Sequence, residues 1–445
     1  MSTVEAAPKP VPDWVALGRK AAVPAFIFAA SFLAYYLSIN EFFQRSPPLW
    51  YDHYDYLAKA ILHGTLNVDS TRMSEAERIP DYFQDAVTVG QAKYLPFPPA
   101  PAILLVPFVA LFGMHISFLG TQFTTEAFVS LLLGATDVVL FWYILGQMKV
   151  SNATKFIMVP FFAFGTALFY STTTGTVWFF AHVSAVFFLL LSMASMLRGM
   201  NPVITAFFLG CAFLSRQTTL LAAPFFLYLM YRQRHESLDL RFLLDRNFLR
   251  QAIPFGAVLG AFVLVSLWYN AARFDTIFDT GYKTVYDSYG GVPYSYYLTQ
   301  FPQGPRFDLF DIRNVPLHLH AMLMLPPEFH PDWSVFRPSP YGTSILFTSP
   351  LFIYAFLVRR KSDLVPASWL AIALISVPIF LHYSQGWVQY GYRFLLDFAP
   401  FLLVLTALGV EEHNSVAARR WQVALLTLSV VAGFWGRYWA NQLGW

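Results

Sequence analysis

The sequence predicts an all-α polytopic membrane protein, on three observations. Hydrophobic residues make up 56% of the 445 and charged residues only 12%, at a mean hydropathy of +0.48, more apolar surface than a soluble domain of that length buries. Apolar runs able to cross a hydrocarbon layer of about 30 Å return along nearly the whole chain, and backbone in lipid must bond to itself, so these runs are expected as helices. Lys and Arg collect in a few short segments between the runs, which orients the helices. The repetition favours a single transmembrane domain over residues 1–445 rather than several soluble ones. Aromatic residues, 18% of the chain, suit lipid-facing helices and interfacial belts.

Taken in order, residues 1–20 are polar and contain Pro, and the run 21–39 is followed by no small-residue cleavage pattern, so it is expected as a retained first helix. The short run 100–112 opens on Pro98-Pro99-Ala100-Pro101. Further spans are expected at 122–147, 156–172, 177–197, 252–270, 342–358, 366–382, 394–410 and 421–436. The stretch 203–231 is too long for one span and is interrupted at Ser215-Arg216-Gln217, which predicts two short helices meeting at a turn. The total is about 11 crossings.

Charge decides the sides. Arg232, Arg234, Arg241, Arg246 and Arg250 crowd one loop, Arg359-Arg360-Lys361 a second and Arg419-Arg420 a third, and these are expected in the cytoplasm. If residues 100–112 lie along the interface instead of crossing it, Lys9, Arg19, Lys20, Lys149 and Arg198 fall on that same side. Two large external loops remain, 40–121 with interfacial helices and 271–341, together with short external turns near Arg216 and at 384–393.

The residues able to carry chemistry converge on that external side. Trp50-Tyr51-Asp52-His53-Tyr54-Asp55-Tyr56-Leu57 follows the first span, and a helix there puts Asp52 and Asp55 on one face. A carboxylate at a partly desolvated interface suits general-base work, while a solvated amphipathic helix on the headgroups is the other reading of this segment. Lys93, Arg216 and Arg393 are three cations on one side of the membrane, a set that suits a phosphate or pyrophosphate. Lys93 is also placed to snorkel. His182, near the external end of its helix, is either a packed histidine or a residue lining the site. Asp137 lies mid-span and must find a partner within the bundle. His318, His320, Glu328 and His330 match no zinc spacing and are expected as loop residues. The single Cys211 excludes an intrachain disulfide and a cysteine metal cluster. The net charge of +3 names no partner. Without a glycine-rich phosphate loop, Walker pattern or nucleophile-elbow serine, nucleotide chemistry and a nucleic-acid partner are unsupported.

Several segments together resemble the GT-C superfamily of polytopic glycosyltransferases, in particular bacterial members akin to protein mannosyltransferases and aminoarabinose transferases. Tyr51-Asp52-His53-Tyr54-Asp55-Tyr56-Leu57 resembles the acidic signature after the first helix, with His53 in place of the usual Glu. Lys93-Tyr94-Leu95-Pro96-Phe97-Pro98-Pro99 is similar to the basic or aromatic residue followed by Pro-Pro, and Leu214-Ser215-Arg216 to a Leu-Thr-Arg/Lys turn. Asn270-Ala271-Ala272-Arg273-Phe274-Asp275 through Gly281-Tyr282 looks like the segment opening the second loop, with Asp275 where Gly is common, and the run from Trp387 to Pro400 resembles the late Gly-x-Arg-Phe…Pro motif. The resemblance spans roughly residues 50–400 and implies inverting transfer of a sugar from a polyprenyl-phosphate carrier to a glycan, lipid or protein acceptor, at the periplasmic face of a bacterial inner membrane. It implies Asp52 as base, Asp55 as supporting carboxylate, Lys93, Arg216 and Arg393 at the donor phosphate, and His182 and Tyr282 as lining residues. No metal or other cofactor is implied. The competing reading is a transporter or flippase of lipid-linked glycans, for which paired half-repeats with midplane polar sites are expected; here charge gathers on one face and in two loops.

Overall fold

The computed structural model describes residues 13–45, 51–233, 235, 245–288, 308–331, 335–386 and 388–444. The expectations resting on Lys9, Trp50, Arg234, Arg241 and Trp387 lie outside the described residues, as do 289–307 and 332–334 of the second loop.

Helix α1 (Asp13–Arg45) carries the first apolar run. The first loop beyond it holds α2 (His53–Leu62), the hairpin β1–β2 (Val87–Val89, Ala92–Tyr94), α3 (Ala100–Phe112) and the hairpin β3–β4 (His115–Phe118, Thr121–Thr124). Helix α3 has 13 residues, a rise of about 20 Å, short of the hydrocarbon thickness. It packs along α2, and the Ala100 N–H donates to the Leu214 carbonyl at 2.9 Å. Its length and its neighbour both agree with a helix that does not cross alone.

The bundle follows: α4 (Thr125–Gln147), α5 (Asn152–Phe164), α6 (Ala167–Thr174), α7 (Val177–Leu197), α8 (Pro202–Phe213), α9 (Ala223–Arg232) and α10 (Arg246–Phe274). The second loop contains α11 (Tyr282–Ser288), α12 (Val315–Leu319) and the hairpin β5–β6 (Glu328–His330, Val335–Arg337). Two short helices, α13 (Ile345–Thr348) and α14 (Tyr354–Leu357), precede α15 (Leu364–Leu381), α16 (Ala399–Glu412) and α17 (Val416–Leu443).

Among the described residues six helices are long and apolar enough to cross a membrane: α1 over Ala21–Ile39, α4, α7, α10, α15 and α17. The pair α5 and α6, bent by 43°, counts as a seventh if it is one span. The other four expected spans are interrupted or short. The run 342–358 breaks at Ser349-Pro350, 203–231 breaks at the Ser215–Arg216 turn as expected, and a 3-10 turn, Arg393–Asp397, precedes the 14-residue α16. Proline explains the first break, because it has no N–H for the helical ladder and restricts the residue before it.

Contacts separate the two ends of the bundle. At the basic end Glu411 accepts from Ser151 N–H (3.0 Å), Ser151 Oγ (2.7 Å) and Thr154 Oγ1 (2.5 Å). Glu412 accepts the Arg359 and Arg360 N–H groups at 2.8 and 3.0 Å, and Arg232 Nε donates to Asp363 at 2.7 Å. Three basic segments thus meet at one end, the pattern the positive-inside reading requires. Helices α16 and α17 close on their neighbours through glycine: a Cβ at Gly409 would strike the Tyr354 carbonyl and one at Gly433 the Phe164 carbonyl. Asp137 is fully buried in α4, and neither carboxyl oxygen has a hydrogen-bond partner among the described residues, so the expected partner in the bundle is not found.

Candidate active site

The acids come first. Asp52 is the N-cap residue of α2, makes no side-chain cap bond, and is 9% exposed. Asp55, in the first turn, is fully buried; its Oδ2 accepts the Glu126 N–H at 3.1 Å, and Glu126 Oε2 in turn accepts the Tyr54 N–H at 3.0 Å. This reciprocal pair locks α2 against the start of α4. Asp55 Oδ1 and Glu126 Oε1 have no partner among the described residues. Burial raises the carboxyl pKa of Asp52 above its ordinary value, against the pull of its own backbone N–H and of His115. Burial raises that of Asp55 well above the usual range, and the neighbouring Asp52 charge adds to this.

Glu126 is one residue that the sequence reading missed. An acid in the first turn of an apolar helix, behind the N-cap Thr124 that accepts the Ala127 N–H, is indistinguishable in sequence from one placed to meet the helix dipole. The only available signal is its position, at the start of a span and opposite the basic end. Position 53, where the resemblance has Glu, is different chemistry. The His53 ring is buried and its pKa is pushed down to about 4 by burial. Its Nε2–H donates to the Gln84 carbonyl at 2.7 Å, and its centroid lies 4.2 Å from that of Phe83. The second acid beside Asp55 is therefore supplied by α4 and not by residue 53.

The first residues of α7 join these acids to the cations. The Val177 N–H donates to the Tyr51 carbonyl at 3.0 Å, and Trp178 Nε1 donates to Asp85 at 3.1 Å. Phe180 packs against Tyr54 with centroids 6.0 Å apart, and the Arg393 guanidinium lies 4.8 Å over the Phe179 ring. One turn on, His182 Nδ1 donates to Asp397 Oδ1 at 2.7 Å.

Asp397, fully buried, is the centre of this second group. Arg216 meets it with Nε and Nη2, at 3.1 Å to Oδ1 and at 3.2 and 3.1 Å to Oδ2, and Thr218 Oγ1 donates to Oδ2 at 2.6 Å. Three segments of chain, α7, the turn after α8 and the 3-10 turn before α16, are tied by one carboxylate. Phe394 forms a floor for the group: Arg216 and Arg393 lie 5.3 and 5.4 Å from its centroid. Asp397 sits in an apolar run and was not singled out from sequence; a lone acid four residues after Arg393 is the only hint there.

Arg216 and Arg393 share the Phe394 ring. Lys93 lies on β2 and is tied into the first loop, 3.2 Å from Asp69 Oδ2. Arg273 explains why the Pro-rich segment and the end of α10 belong together: its Nη1 donates to the Leu95 carbonyl, its Nε to the Tyr269 carbonyl (3.0 Å) and its Nη2 to Asn270 Oδ1 (3.1 Å). Tyr282 lines a small cavity of about 10 Å³ with Pro96, Pro98, Gln217, Tyr269 and Asn270, and burial pushes its hydroxyl up to about 12 against the nearby Arg216 charge. Of the second-loop residues, the His318 ring accepts from Tyr392 (2.6 Å) and donates to the His382 carbonyl (2.8 Å), and Glu328 pairs with Arg337 at 3.8 Å. Among the described residues no three His, Cys, Asp or Glu side chains are grouped so as to hold a metal ion.

No family model and no curated protein matches the chain. Among solved structures it is similar to the crystal structure of the Archaeoglobus fulgidus oligosaccharyltransferase tethered through a disulfide bond to an acceptor peptide containing the NVT sequon. The TM-score is 0.46 at 14% identity, over 96% of this chain and 55% of that one. The chain thus spans about half the length of that enzyme.

Proposed function

We propose that this protein is an inverting glycosyltransferase that moves a sugar from a polyprenyl-phosphate carrier to a glycan, lipid or protein acceptor at the external face of the membrane. One observation carries the reading: the first six residues of α7 join a carboxylate group, with Asp52 reaching its surface, to a pair of guanidinium groups, Arg216 and Arg393. Such a pair of groups suits displacement at a sugar carbon. Asp52 takes the proton of the acceptor hydroxyl as its oxygen forms the new bond to the anomeric carbon. On the opposite face the bond from that carbon to the phosphate oxygen breaks, its electrons pass to the phosphate, and the guanidinium charges meet them. Attack opposite the leaving group inverts the carbon. Asp55 and Glu126, turned inward, fix α2 so that Asp52 holds its place.

Labelled polyprenyl-phosphate sugars offered one by one to the purified protein, with membrane extract as the source of acceptor, test the reading. One donor should be consumed with label appearing in product. Consumption of none, with folded protein, would overturn it.

A further inference from the structure

His182 is fully buried, yet its Nε2 has no hydrogen-bond partner among the described residues, and Arg393, 6% exposed, leaves Nε and Nη1 in the same condition. Both border one ring. The His182 centroid is 5.6 Å from that of Phe394, and the Arg393 guanidinium lies 5.4 Å from the same centroid. Buried polar atoms in folded proteins almost always have partners, so two neighbours without them point to a ligand that meets both.

The hydrogens define that ligand. The Asp397 carboxylate only accepts, so His182 Nδ1 carries the ring hydrogen, and Nε2 of the neutral ring is an acceptor. Arg393 only donates. A molecule that satisfies both offers a hydrogen to Nε2 and an acceptor oxygen to Arg393, whose positive charge favours an oxyanion. A glycosyl phosphate has this arrangement, with ring hydroxyls next to phosphate oxygens; an alkyl phosphate without a free hydroxyl leaves His182 unmet.

We propose that His182 reads one hydroxyl of the transferred sugar and so determines donor specificity, and that Asp397 is the positioning residue that keeps the ring in its accepting tautomer. This rests on the glycosyltransferase reading of the same site. Asp397 is suited to the task because Arg216, at both oxygens, and Thr218, at Oδ2, hold its carboxylate in place. Asn at 397 would offer an N–H to Nδ1, move the ring hydrogen to Nε2, and set a donor against the sugar's donor.

The test compares transfer from the donor the protein uses with transfer from analogues lacking one hydroxyl each, in wild type, H182F, H182Q and D397N. In wild type one deoxy position should raise KM about 10- to 100-fold. The same position should carry no further penalty in H182F or D397N, because the interaction is already gone, and H182Q, which keeps an acceptor, should recover part of the discrimination. Wild-type indifference to every deoxy position overturns the inference without recourse to a variant, as do penalties of equal size in wild type and in each variant that folds. A wild type that consumes no polyprenyl-phosphate sugar overturns the glycosyltransferase reading, and this inference with it.

Discussion

Asp52 and Asp55 lie within one helical turn yet answer to different surroundings. Asp52 reaches the surface of its cluster, whereas Asp55 is turned toward α4 and engaged by the Glu126 N–H. Asp52→Asn should therefore keep donor binding while transfer falls by roughly 100-fold or more, and Asp55→Asn should lose less. The base must be ionised to work, so acidification through its raised pKa should remove activity. The acid limb of kcat/KM should lie above the ordinary aspartate value of about 3.9. A limb at the ordinary value, or full turnover by Asp52→Asn, counts against Asp52. The two arginines should also separate. Arg393→Ala should weaken donor binding by about 1.5–3 kcal/mol, with Lys only a partial substitute because it lacks the planar fork. Arg216→Ala strands the fully buried Asp397, and the loss of one partner of such a pair should lower stability by about 3–5 kcal/mol. Thermal unfolding in detergent distinguishes them: Arg393→Ala melting lower than Arg216→Ala would contradict the assignment.

At the scale of elements, close approaches of backbone define how the late helices seat. Gly433 of α17 faces the Phe164 carbonyl with no room for a Cβ, so Gly433→Ala should force the two helices apart at a cost of about 1–3 kcal/mol. An unchanged melting temperature would show that α17 is not seated on α5 there. Asp275 caps α10 at φ +56°, a left-handed conformation that side chains adopt reluctantly. Glycine adopts this conformation without strain. Asp275→Gly should accordingly be neutral or raise stability by up to about 1 kcal/mol, read from the same melts. The presence of α2 and the break at Ser215–Arg216 were legible in sequence, because both announce themselves locally, by a polar signature and by an interruption of an apolar run. The Glu126–Asp55 pair was not, since it joins residues 71 apart, and neither residue's local pattern names the other.

For the whole molecule the sides of the membrane are the testable matter. In a Cys211→Ala background, single cysteines at Ala76 in the first loop and Asn414 at the basic end, both exposed, should be distinguished by an impermeant thiol reagent on intact cells. Position 76 should label and 414 should not; the reverse would invert the topology and remove the external site. The sequence by itself determined the solvent, the helical class and the end of the bundle where charge gathers, because lipid forces apolar runs into helices and Lys and Arg collect in a few short segments between them. It also singled out Asp52, Arg216, Arg393 and His182, each conspicuous as a polar group beside or inside an apolar run. Only the tertiary structure decided their company: that Asp397 holds Arg216 and His182 together, that Lys93 belongs to Asp69, and that Asp137 stands apart. Ion pairs and hydrogen bonds between separate segments depend on which faces meet, and no local pattern along the chain encodes that meeting.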